Sequence, residues 1–185
     1  MTTVLFGHEY LASPEVTPAV RLRLLDGPLD LAWKHSGMTS DFIAEMMASR
    51  FHPTKRLYNQ LRQDIGYLAN ELIENAIKFR APGEVVVEAL AQSGCVRLRV
   101  CNFVDRETAA RFQRLLVTVT NGDPGDLLIQ QIEASATSAS GNASGLGLLT
   151  LMSDYEVQFA WLFEEEGSHE RSRLETYAAM AIPLS

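Results

Sequence analysis

Asn70-Glu71-Leu72-Ile73-Glu74-Asn75-Ala76-Ile77-Lys78-Phe79 is the stretch on which the reading of this chain turns. It closes a run from Lys55 to Phe79 in which Leu57, Leu61, Ile65, Leu68, Leu72, Ala76 and Phe79 recur every three or four residues. That period marks a helix with one buried face, and Arg80-Ala81-Pro82-Gly83 stops it. Glu71, Asn75 and Lys78 stand at i, i+4 and i+7, so they share one stripe of the helix. The apolar stripe lies one residue, about 100°, further round. A polar stripe bordering a buried one belongs at the rim of a pocket. A solvated Glu74–Lys78 ion pair at i, i+4 is the plainer account of the same charges.

Outward from this helix, two valine-rich runs, Glu84 to Ala91 and Cys95 to Asn102, are joined by Gln92-Ser93-Gly94 and read as a β-hairpin. From Asp105 to Ala136 the pattern is helical in two pieces, separated by Asn121-Gly122-Asp123-Pro124-Gly125. Ser135 to Ser144 is small and polar, a flexible loop with no core of its own. Gly145 to Asp154 reads as a short helix, and Val157 to Glu164 and Leu174 to Leu184 as the last two strands. On the other side, Val4 to Tyr10 and Val20 to Leu25 read as strands. A helix is expected from Ser40 to Arg50, with Ser40 or Thr39 as N-cap and Phe42, Ile43, Met46 and Met47 on its apolar side. Residues 1–53 thus form a strand and helix addition within the same unit, and 54–185 the domain proper.

The net charge of −7, from 23 acidic against 16 basic side chains, disfavours phosphate backbones and anionic lipid as partners. Nucleic acid and membrane are therefore not expected. No apolar run approaches the roughly 20 residues that span a bilayer, and MTTVLFGHEYLAS lacks a basic start and a cleavage site, so the cytosol is the expected compartment. Cys95 and Cys101, six apart on one strand, point to one face about 20 Å apart and cannot bridge. They read as reduced thiols. His8, His35, His52 and His169 have no ligand spacing.

Glu71-x-x-x-Asn75-Ala76-x-Lys78 on such a helix resembles the N box of the GHKL family, which comprises gyrase, Hsp90, histidine kinases and MutL. The resemblance implies that Asn75 ligates the magnesium of bound Mg-ATP through its carbonyl, a hard oxygen donor. It gives Glu71 the role of base or polarising group, and Lys78 that of neutralising phosphate charge. Gly141-Asn142-Ala143-Ser144-Gly145-Leu146-Gly147-Leu148 resembles the family's second glycine box, G-x-x-x-G-x-G-L, at the end of a lid spanning about 105–144 here. Gly141, Ser144, Gly145, Leu146 and Gly147 are then the phosphate-binding candidates, because bare backbone and a helix start both suit phosphate oxygens. A Gly-Ser linker before a helix is the bland alternative.

The family's first glycine box, Asp-x-Gly-x-Gly, is degraded. Asn102 falls where the Asp receives the adenine amino group, and the glycines after it are absent. An Asn carbonyl accepts that hydrogen bond without charge, so weakened or altered ATP binding is implied. Asp105, three residues later, is the other candidate carboxylate. The resemblance covers about 54–185 and implies an α+β fold of the Bergerat type: a two-layer sandwich, its sheet mixed and mostly antiparallel, with helices on one face.

Among GHKL proteins the chain is similar to the small stand-alone anti-sigma factors and serine/threonine kinases of bacterial partner switching. Residues 1–53 are too few and too strand-like for the helical hairpin of a sensor histidine kinase, and transducer domains have no room. The implied activity is Mg-dependent phosphorylation of a Ser or Thr on a small protein antagonist or sigma-factor-like regulator. The N-terminal strands offer an edge for a homodimer or a partner. A pseudoenzyme that sequesters its partner is the alternative class, and a free ATPase a third.

Overall fold

The valine-rich runs pair as the sequence predicts, with Ser93-Gly94 as the turn. A computed structural model describes residues 2–12, 17–25, 33–51, 54–137, 145–165 and 171–182. In chain order the elements are β1 (Thr3–Gly7), β2 (Val20–Leu24), α1 (Trp33–Ala48), α2 (Lys55–Lys78), β3 (Val85–Gln92), β4 (Cys95–Asp105), α3 (Arg106–Asn121), α4 (Pro124–Thr137), α5 (Leu146–Ser153), β5 (Gln158–Glu165) and β6 (Arg171–Ala181). Short 3-10 turns cover Glu9–Ala12 and Ser49–Phe51. The fold is α+β, a two-layer sandwich.

The six strands lie in the order β1-β5-β6-β4-β3-β2. Every neighbouring pair is antiparallel, which corrects the expectation of a mixed sheet. The reason lies in the connections. The helix pair α1 and α2 goes out and returns, so β3 begins level with the end of β2 (Leu24 opposite Val85) and runs back along it. Helices α3 to α5 carry the chain to the other end of the sheet, so that Gln158 and Arg97 both lie level with Ala179. Strands β4 and β5 therefore point the same way, but β6 lies between them and no parallel pair forms.

Period-2 alternation sends Val85, Val87, Ala89, Val96, Leu98 and Val100 to one face, where the helices cover them. Helix α2 buries Leu61, Ile65, Leu68, Ala69, Leu72, Ile73, Ala76 and Ile77 in this core. On β5 the Phe159 and Trp161 rings stack at 5.2 Å, and Phe112 of α3 meets Trp161 and Phe163 edge-on. Helix α1 starts earlier than predicted, and Thr39 and Ser40 are interior rather than capping. Their hydroxyls donate back to the carbonyls of His35 (2.7 Å) and Gly37 (2.9 Å), which satisfies them inside a helix. Ile43 and Met47 are buried as expected, whereas Phe42 and Met46 are exposed.

The second face of the sheet carries alternating charge. Arg21, Glu88 and Arg99 follow one another across β2, β3 and β4, with Arg21–Glu88 at 3.3 Å and Arg99–Glu88 at 2.7 Å. Glu175 on β6, 3% exposed, binds Arg99 at 2.7 Å and Arg173 at 2.6 Å and accepts a hydrogen bond from the Tyr177 hydroxyl. Burial opposes the charge on Arg99, but hydrogen bonds to Glu88 and Glu175 outweigh it and raise its pKa. Burial, then the bond to Glu175, raises that of Tyr177.

Removing Glu175 leaves two guanidinium groups facing a buried vacancy, so Glu175→Ala should cost about 3–5 kcal/mol in urea unfolding. Arg21, whose side chain is 62% exposed, should cost less than about 1 kcal/mol when replaced by Ala.

Candidate functional site

Helix α2 is tied down at both ends. Thr54 caps its start, accepting from the Leu57 amide at 3.4 Å. At its far end Ala81 N–H donates to the Phe103 carbonyl of β4 at 2.7 Å. The same carbonyl receives the Asn102 side-chain amide at 3.3 Å. Asn102 is buried on the helix side of the sheet, and the turn after α2 lies beside it.

Helix α5 begins at Gly145, whose φ of +97° is the left-handed conformation that glycine adopts without strain. Among the described residues no side chain caps this start. Leu149 and Leu151 anchor α5 in the core, and Leu146 and Gly147 form its first turn. Tyr67, one turn before Glu71 on α2, holds α5 from the side: its hydroxyl is hydrogen-bonded to the Thr150 side chain, and its ring lies 5.4 Å from that of Tyr155.

The two predicted motifs meet at one contact. The Glu71 carboxylate lies against the bare α-carbon of Gly147, so closely that a Cβ on Gly147 would overlap Oε2. Glu71 is half-buried, and burial, then the charge of Glu74, raises its pKa above the usual 4.5. Asn75 and Lys78 continue the stripe on exposed helix surface, with Lys78 Nζ 5.2 Å from the Phe79 ring centre. Gly141 and Ser144 lie outside the described residues.

No family model matches this chain. Nor does any curated protein show significant similarity to it.

The remaining candidates separate. Asp105 is exposed and serves as the N-cap of α3, accepting from the Thr108 amide at 2.7 Å and hydroxyl at 2.9 Å. These bonds, the backbone one first, lower its pKa. The expected lid divides: α3 buries Ala109, Leu116 and Val119 in the core, whereas α4 rests on α5 and buries none of its side chains from 124 to 135. Both cysteines are free and share the second face of the sheet, where Arg173 Nε donates to Cys101 Sγ at 3.2 Å. Burial raises the Cys101 pKa, partly offset by Arg173. Among the described residues no three His, Cys, Asp or Glu side chains come together for a metal.

Tyr67, Thr150 and Tyr155 escaped the sequence reading. Tyr67 completes the spacing 67, 71, 75, 78 on the same stripe, the one signal that points to it.

A carboxyl whose pKa is raised on folding adds stability below its unfolded pKa and loses it as pH rises through the folded value. Glu71→Gln should therefore raise the thermal midpoint at pH 8 and leave it unchanged near pH 4. Gly147→Ala should expel the carboxylate, so that NMR titration of Glu71 returns toward 4.5.

Proposed function

We propose that this chain is an ATP-binding regulator of the GHKL type, a small Mg-dependent serine/threonine kinase of the partner-switching kind. The observation that carries the reading is the contact of Glu71 with Gly147: two motifs 76 positions apart in the chain, each suggestive of ATP on its own, adjoin in space. The two-layer sandwich, with its helices on one face of the sheet, supports it, while the wholly antiparallel pairing departs from the family's mixed sheet.

In this reading Asn75 supplies an oxygen ligand to magnesium, and Lys78 leaves the Phe79 ring to meet phosphate. Magnesium neutralises phosphate charge and takes most of its ligands from water and phosphate, which is consistent with a protein contribution as sparse as one amide. Gly145, Leu146 and Gly147 offer amides at the start of α5 that no described side chain caps. Glu71 accepts the proton of a Ser or Thr hydroxyl on a small protein partner, whose oxygen takes the γ-phosphoryl group and leaves ADP. Its raised pKa suits a base.

Asn102 favours a second reading. Its amide N–H is turned to its neighbour's carbonyl, and it has no charge to offer an adenine amino group. A pseudoenzyme that holds a protein partner without turnover follows if nucleotide affinity is lost.

Calorimetric titration with Mg-ATP separates the two, since the kinase reading fails if nothing binds at millimolar nucleotide. Asn75→Ala should lose the magnesium dependence of binding. Glu71→Ala should keep binding and lower phosphoryl transfer by at least about a hundredfold. Equal transfer by both variants and the unmodified chain would remove these assignments.

A further inference from the structure

Glu71 does more at this site than a base requires. The amides at the start of α5 have no intrahelical acceptor and, among the described residues, no side-chain cap. The face of Gly147 that bare backbone would open to a phosphate is already covered by the Glu71 carboxylate. To such a backbone a carboxylate and a phosphate oxygen are alike, compact anionic acceptors. Two of them do not share one space.

We propose that Glu71 is a built-in competitor for phosphate: its carboxylate lies on Gly147 and is displaced when phosphate arrives. This rests on the nucleotide reading above and adds regulation to the same site. The residue that serves turnover also holds affinity down, so the site resists free phosphates.

The surroundings fit a side chain that moves while its helix stays. Among the described residues Glu71 accepts no hydrogen bond that swinging away would break. Leu68 and Leu72, its neighbours on α2, are buried and hold the backbone. Tyr67 and Thr150, with Leu149 and Leu151, keep α5 seated. Glu74 on the same helix adds a second negative charge that disfavours the seated carboxylate. The competitor is thus held by shape against glycine, and glycine at 147 is required by this side chain before any ligand is considered.

The test is calorimetric titration of the full chain and of its Glu71→Gln and Glu71→Ala forms with Mg-ATP, Mg-ADP and adenosine. Removing the charge should tighten Mg-ATP binding at least about tenfold, as expected for lost repulsion between anions at contact distance. Adenosine, which has no phosphate, should bind all three forms equally. Mg-ATP affinity that is unchanged or weaker in both variants overturns the competition while leaving the nucleotide reading intact, as does an equal gain for adenosine. Absence of binding by every form overturns the nucleotide reading and the competition together. Glu71→Gln preserves size, so a folding failure of Glu71→Ala leaves the test standing.

Discussion

The face of α2 that carries Leu61, Ile65, Leu68, Leu72 and Ala76 is sealed into the core against the sheet, and that seal fixes where every other side chain of the helix points. Each large apolar side chain buried this way contributes about 1.5–3 kcal/mol, so the helix cannot rotate without losing several such contributions. Tyr67 and Glu71 are thereby aimed at α5, and Asn75 and Lys78 are left on the exposed continuation of the stripe. The chemistry proposed for the site is a by-product of hydrophobic geometry.

Much of this was readable in advance because the signals are local. The 3.6-residue period of α2 and the valine alternation of β3 and β4 gave their type and approximate ends. The start of α1 was missed because Thr39 and Ser40 look like caps, yet their hydroxyls are satisfied by carbonyls one turn back. The apolar side of that helix was half wrong for a related reason: Phe42 and Met46 neighbour the buried pair in sequence, but only Ile43 and Met47 face α2 and the sheet. Strand direction was beyond a local reading, since it depends on whether an intervening run of helices returns to the end it left.

At the site, Glu71 and Gly147 were both named from sequence, but their contact was not foreseen. In sequence the glycine implies room for a phosphate, and the structure fills that room with a carboxylate. Tyr67 was overlooked because a half-buried tyrosine on an amphipathic helix looks like core. The arginine and glutamate network of the second face was equally hidden, because cross-strand partners such as Arg99 and Glu175 lie 76 residues apart.

The place of β6 bears on how the chain assembles. Strands β2, β3 and β4 can zip into one three-stranded piece, and β1 with β5 into another, but nothing joins the pieces until β6 slides between them. A strand late in the sequence is the keystone of the sheet, and its pairing with β4 spans sequence separations that make such closure slow. Until it arrives, β4 and β5 each present a naked edge able to capture a strand from another molecule, so the interval before closure is when this protein is most exposed to misassembly.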